Sequence, residues 1–226
     1  MFAHLYPDMG ERIRQTPHVE GNFSTLVSIY LSEENRSELS IFTQTATKHL
    51  ESLTGMPSSP VSEDQYHVSL SRHGFLKPHM IDAFIDRLRE RTSRSKKSVF
   101  YLLPQLECYV NESQNTAFVG VPVDLEISPN CLTLISLVDS VMTEFGLETY
   151  YKPNPRPHVS LAFSTQQEGE IFSIPTSSPY ALQVSDLSDF RVDVDFITLS
   201  IGKSFYKFPL SYFKFAVFSR SSIKGC

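Results

Sequence analysis

The run "FSTLVSIYL" at residues 23–31 is dense in β-branched and aromatic residues and is entered through Gly21-Asn22, a turn signal, so it predicts a strand. The period then changes. In "SEENRSELSIFTQTATKHLESLTG", Leu39, Phe42, Ala46, Leu50 and Leu53 recur at steps of three and four and form one apolar helical stripe. Ser32 stands where it can cap that helix, and Gly55 suits the left-handed residue that ends one. The polar, proline-rich "MPSSPVSEDQ" is a loop that delivers "YHVSLS". A second helix is predicted from about Pro78 to Arg91, with Ile81, Phe84, Ile85 and Leu88 on its buried side.

The same order then returns. "TAFVGVPVD" (residues 116–124) is a strand, and "SPNCLTLISLVDSVMTEFG" is a helix with Ser128 as its cap, Pro129 in its first turn and Gly146 as its stop. The proline-rich loop "YYKPNPRP" leads into "HVSLAF". From mid-strand to motif the chain takes 40 residues (Val27 to His67) and then 37 (Val121 to His158), so His-Val-Ser-Leu occupies equivalent places of an internal repeat. "SVFYLLP" and "LECYVN" are β-like, with Pro104 ending the first. Toward the C-terminus "FRVDVDFITLSIG", a Gly-Lys-Ser turn and "FYKFPLSYFKFAVF" read as long strands or a hairpin, while residues 165–170 read as a surface loop. No linker is long enough to separate independent domains. Residues 1–226 are therefore expected to form a single domain of the α+β class. It has two pseudo-symmetric lobes (about 20–97 and 98–226), each a mostly antiparallel sheet backed by helices, with a central cleft.

At 226 residues, 41% of them hydrophobic, the chain can bury a sizeable core. A net charge of −5 argues against coating nucleic acid by bulk attraction, although binding follows local potential. The one basic cluster, Arg87, Arg89, Arg91, Arg94, Lys96 and Lys97, is read as the solvated end of a helix and its loop. Three cysteines (Cys108, Cys131, Cys226) show no CxxC spacing and are odd in number, as in a reducing compartment. With no basic-then-apolar leader and no apolar run of about 18 residues, the expectation is a soluble intracellular protein.

Side chains alternate across a strand. In the first motif Tyr66, Val68 and Leu70 therefore share the inward face, and His67, Ser69 and Ser71 the other. In the second, Val159, Leu161 and Phe163 turn inward while His158 and Ser160 turn outward. A pseudo-twofold between the lobes brings both pairs into one cleft. Two imidazoles, ordinarily titrating near pH ~6.5, can divide the work of general base and general acid. Two hydroxyls beside them can donate hydrogen bonds to an oxyanion. An RNA phosphodiester suits this set: the base removes the ribose 2′-OH proton, the acid protonates the leaving 5′-oxygen, and the 2′,3′-cyclic phosphate formed can then be opened by water. One His-x-Ser strand alone is ordinary sheet; two, with identical Val and Leu at core-facing places of a repeat, are not. Neither metal nor cofactor is demanded. The other histidines (His4, His18, His49, His73, His79) supply no further ligands of zinc spacing, and no G-x-S-x-G elbow exists.

These paired motifs resemble the 2H phosphoesterase superfamily and, within it, the U6 small nuclear RNA 3′-end processing phosphodiesterases. The likeness runs from about Gly10 to Leu210. "GERIRQTPHVEGNF" is similar to that family's entry to its first strand, "TAFVGVPV" to the strand that opens its second lobe, and "SFYKFPL" to its last hairpin. "VDSVMTEFGLETYYKPNPRPHVSLAF" is similar to its second-lobe helix, loop and motif. The resemblance implies the 2H phosphoesterase fold and a metal-independent 3′–5′ exoribonuclease that trims the oligouridine tail of the U6 RNA one nucleotide at a time. It implies a monomer acting in the nucleus, with a mitochondrial fraction as an addition. His158 is then the general base, His67 the general acid, and Ser69 and Ser160 hold the scissile phosphate. The family stacks the terminal base on a tyrosine upstream of its second motif; the loop is one residue longer here, so Tyr151 is the match and Tyr150 the alternative. Family members end their RNA in a 2′,3′-cyclic phosphate or a 3′-phosphate, and those with a disordered leader begin further upstream of the first strand. Two other functions fit the residues: a cyclic phosphodiesterase for small nucleotides or tRNA-splicing ends, and a non-catalytic RNA-binding module.

Overall fold

The computed structural model describes residues 21–150, 154–166, 170–172, 174 and 181–211. Among them the chain forms, in order, β1 (Phe23–Tyr30), α1 (Glu33–Ser40), α2 (Thr43–Thr54), β2 (Ser59–Pro60), β3 (His67–Ser69), β4 (Gly74–Leu76), α3 (Ile81–Thr92), β5 (Ser98–Tyr101), β6 (Gln105–Val110), β7 (Thr116–Pro122), α4 (Pro129–Glu144), β8 (His158–Thr165), β9 (Leu182–Gln183), β10 (Arg191–Val194), β11 (Phe196–Ile201) and β12 (Ser204–Pro209). The strands lie side by side as β12-β11-β1-β3-β8-β7-β6-β9, with β2 on β8 and β4 on β1, and β10 and β5 pair as a separate ribbon. Every one of these pairings is antiparallel. The expected α+β class, a mostly antiparallel sheet backed by helices, is what forms.

The two motif strands are neighbours in this sheet. β3 pairs with β8, with Val68 opposite Val159. Around that point the unit strand–helix–strand occurs twice, as β1 to β3 and as β7 to β8. The halves also interlace: β11, from the C-terminal part, extends the sheet beyond β1, and β2, from the N-terminal part, joins β8. α2 lies against β7 and β8, and α3 against α4. One core runs beneath the whole arrangement, joining Val68, Leu70, Val159 and Leu161 of the motifs to Leu39, Leu50, Leu88 and Val138 of the helices.

Local sequence explains most boundaries, and the exceptions have visible causes. Ser32 caps α1, its Oγ accepting the Asn35 N–H at 3.2 Å, and Gly55 stops α2 at φ +68°. The predicted single helix is divided, because the Phe42 N–H reaches back three residues to the Leu39 carbonyl and tightens the turn there. Ser128 does not cap α4; its Oγ accepts the Tyr101 N–H at 2.8 Å and ties the start of that helix to β5. The run at 190–202 is cut at Asp195, where β10 leaves for β5 while β11 joins β1, and the Asp195 carboxylate is held by Lys97 at 2.6 Å. β11 and β12 form the expected hairpin through Gly202; the rest of that predicted strand, from residue 212, lies outside the described residues, as do residues 167–169 of the predicted surface loop. The basic cluster is a solvated, paired helix end: Arg87 and Arg91 both hold Glu144, and Arg89 holds Asp86. Among the described residues no helix is long and apolar enough to cross a membrane.

Candidate active site

The β3–β8 register sets the site. With Val68 opposite Val159 in an antiparallel pair, His67 stands across from Ser160, and Ser69 across from His158. Directly opposed side chains lie about 4.5–5.5 Å apart at Cβ, and the diagonal His67–His158 pair about 7–8 Å apart. Val68 and Val159 are fully buried, so the four residues of the other parity share the opposite face, each half-buried. His158 feels the charge of His67. The structure thus brings His67, Ser69, His158 and Ser160 together in an arrangement wide enough to bracket a phosphate group.

Two expected positions change. Ser71 does not line the cleft: β3 ends at Ser69, and Ser71 turns into the core, where its Oγ accepts the Val27 N–H at 2.9 Å. Phe163 does not turn inward. Along β7 and β8, Gly120 pairs with Ser160 but Val119 with Ala162, so Leu161 is an extra residue, a β-bulge. Beyond it the alternation inverts, sending Ala162 and Ser164 to the core and leaving Phe163 half-buried on the cleft side. Gly120 makes this possible. A Cβ there would stand 2.4 Å from the Val159 carbonyl oxygen.

Both histidines are aimed by the same device. The Nδ1 of His67 lies 2.6 Å from the Gln65 carbonyl, and that of His158 lies 2.9 Å from the Arg156 carbonyl, two residues upstream in each case. A carbonyl can only accept, so Nδ1 carries a hydrogen and Nε2 is left for chemistry.

Their flanks differ. Tyr30, opposite His67 on β1, places its ring 5.4 Å away at a tilt of 42°. Tyr109, from β6, stacks on His158 at 3.7 Å and 13°. The Arg156 guanidinium lies 4.5 Å over the Tyr109 ring and donates to Glu107 at 2.9 Å. Glu107 also accepts from Tyr109 Oη at 3.3 Å and from Gln105 at 2.6 Å. Burial is the main force that lowers His158 from 6.5 to about 4; the charges of Arg156 and His67 push the same way, against the Arg156 carbonyl and Glu107. Burial, then the Glu107 charge, holds the Tyr109 hydroxyl far above its ordinary range.

Sequence reasoning missed Tyr30, Glu107, Tyr109 and Arg156, which lie outside the repeated tetrapeptide. The alternation in "QLECYV", with Leu106 and Cys108 buried, was the available signal that Glu107 and Tyr109 share the other face. Of the two tyrosines expected to stack a base, Tyr150 is 3% exposed and packed in the core, with its N–H donated to Asp139, so its ring offers no free face. Tyr151 lies outside the described residues. Among the described residues no three His, Cys, Asp or Glu side chains gather as a metal site requires.

Two His-x-Ser strands lie antiparallel in the middle of a mostly antiparallel sheet, as the 2H phosphoesterase resemblance implied. The fold is similar to that of the structure of Kluyveromyces marxianus Usb1 with uridine monophosphate, with a TM-score of 0.57 and 16% identity over 85% of this chain and 100% of that one. The chain belongs to the HVSL family, described as an uncharacterised conserved protein, whose model matches residues 7–209. It is 30% identical over 211 residues to U6 snRNA phosphodiesterase 1 of Mus musculus, covering 89% of this chain and 74% of that protein. To the protein of the same name from Dictyostelium discoideum it is 25% identical over 163 residues, 72% of this chain. The chain spans 58% of the length of that relative.

Proposed function

We propose that this protein is a metal-independent 3′–5′ RNA phosphodiesterase that shortens the oligouridine end of U6 small nuclear RNA. The observation that carries this reading is the pairing of β3 with β8, which sets two imidazoles diagonally across one opening with a hydroxyl beside each. Relatives named U6 snRNA phosphodiesterase 1 support the RNA substrate, and a nuclear place of work follows from it. Both motifs come from one chain, so a monomer suffices.

In the reaction Nε2 of His158 takes the proton of a ribose 2′-OH, and the 2′-oxygen bonds to phosphorus. The bond from phosphorus to the leaving 5′-oxygen breaks, and protonated His67 supplies that oxygen with its proton. Ser69 and Ser160 donate to the non-bridging oxygens, where negative charge grows. The RNA is left with a 2′,3′-cyclic phosphate. Water can open this ring to a 3′-phosphate with the two histidines in exchanged roles. His158 suits the base because, lowered to about 4, it is uncharged at neutral pH. A tyrosine at 151 would hold the terminal base by its face, as aromatic platforms do for any base.

The test is incubation with a 3′-oligouridylated RNA in EDTA. Single-nucleotide shortening is expected, and it disappears in His67→Ala and in His158→Ala. Shortening that survives either substitution, or that needs added metal, overturns the reading.

A further inference from the structure

The two motifs are near-copies, yet a proton-transfer pair needs one partner uncharged and the other charged. Nothing within His-Val-Ser-Leu makes that difference. Both rings are oriented alike by a carbonyl two residues upstream, and both stand on the open side of the sheet. Among the described residues, their aromatic neighbours differ. Tyr30 meets His67 at a tilt and with wide spacing, whereas Tyr109 lies flat on His158.

Building the Tyr109 contact takes several residues. Tyr109 sits on β6, two strands from His158. In the row between them Gly120 of β7 stands in register with Glu107 and with Ser160, and it puts no side chain in the way. Glu107 then anchors the arrangement: it accepts from the Tyr109 hydroxyl and from the Arg156 guanidinium, which itself lies over the Tyr109 ring. Gln105 holds the second oxygen of the same carboxylate. A flat stack covers one face of the imidazole and leaves its edge, with Nε2, uncovered.

We propose that Tyr109, braced by Glu107 and Arg156, is the positioning residue of His158, fixing the plane of its ring and covering one face. The stack fixes the plane of the ring and keeps water from its face, and that loss of hydration disfavours the charged form of His158. The direction agrees with burial as the main influence on His158. Among the described residues, the charged groups that bear on it are Glu107 from β6, Arg156 from the approach to β8 and His67 from β3, and Tyr109 of β6 touches it. Arg156 and Glu107 neutralise each other at 2.9 Å, which leaves burial to dominate.

This inference rests on the phosphodiesterase reading, and its test is chosen to separate the two. The full chain is titrated by NMR through the imidazole carbon-bound protons, without substrate, as wild type, Tyr109→Phe, Tyr109→Leu, Arg156→Lys and Tyr30→Leu. Trimming of oligouridylated RNA by the same proteins is followed against pH. With Tyr109→Leu, the His158 titration should move up toward its ordinary value, the acidic limb of kcat should move with it, and kcat should fall about 10²-fold with little change in KM. Tyr109→Phe keeps the ring and loses only the 3.3 Å bond to Glu107, so it should stay close to wild type and well apart from Tyr109→Leu; Tyr30→Leu should leave the His158 titration in place. If Tyr109→Leu does not fold, Arg156→Lys keeps the charge that itself lowers His158 but gives up the guanidinium over the Tyr109 ring, and should shift the titration in the same direction by less. A His158 titration and kcat that ignore both substitutions, a change in KM alone, or a phenylalanine as damaging as leucine overturns the proposal. A wild type without trimming activity sinks the functional reading, while the response of His158 to Tyr109→Leu still decides the positioning.

Discussion

An imidazole buried away from water is hard to charge, and the stability of the protein should show it. His158 is lowered to about 4 in the folded chain, against its ordinary 6.5. As pH falls through that window the unfolded chain binds a proton that the folded chain refuses, so stability is lost from about 6.5 down to about 4 and no further below it on this account. Thermal melts of wild type and His158→Asn between pH 7 and 4 should therefore diverge, with wild type losing more; parallel curves would mean the ring is not shielded. The hydroxyls carry a different expectation. Ser69→Ala and Ser160→Ala leave the core intact but remove donors from the growing charge, and each should lower kcat about 10²-fold. Equal rates in the alanine variants would remove the serines from the reaction.

Among the elements, β8 carries the most information per residue. Its first half obeys simple alternation, and its second half is inverted by the bulge at Leu161. Gly120 is the counterpart that lets β7 approach, since any Cβ there meets the Val159 carbonyl. Gly120→Ala should therefore push β8 outward just where His158 and Ser160 are mounted. A loss of about 1–3 kcal/mol in stability is expected from such crowding, together with a fall in trimming rate larger than that loss explains. A fully active, fully stable Gly120→Ala would show that the bulge does not position the motif. The helices are plainer. The stripe of Leu39, Phe42, Ala46 and Leu50 is buried as its spacing predicts, even though the Leu39–Phe42 turn divides it between α1 and α2.

The sheet runs unbroken from β12 to β9, with the motif strands as its middle. A phosphate held by His67 and His158 would thus straddle the line where the two repeats join. Because β11 completes the sheet beside β1 and β2 crosses to β8, neither half owns a closed core. Unfolding should then be one cooperative event. Leu161→Ala in β8 and Leu199→Ala in β11, both fully buried, should each cost about 2–5 kcal/mol and shift the same single transition in denaturant. Two separable transitions, with each substitution moving only one, would show the halves to be independent.

The repeat, the elements within it and the four motif residues were legible from the sequence because each depends on local rules: side-chain period, caps, turns and alternation along a single strand. Ser71 and Phe163 escaped those rules because the end of β3 and the bulge in β8 arise from pairing with β1 and β7, which no single segment encodes. Tyr150 reads as an available ring until its burial is known, and the Tyr109 stack joins residues 49 positions apart through a glycine on a third strand. Sequence alone therefore picked out the groups to which we assign the chemistry. Folding decided how His158 is shielded from water, because desolvation depends on neighbours brought together only across the sheet.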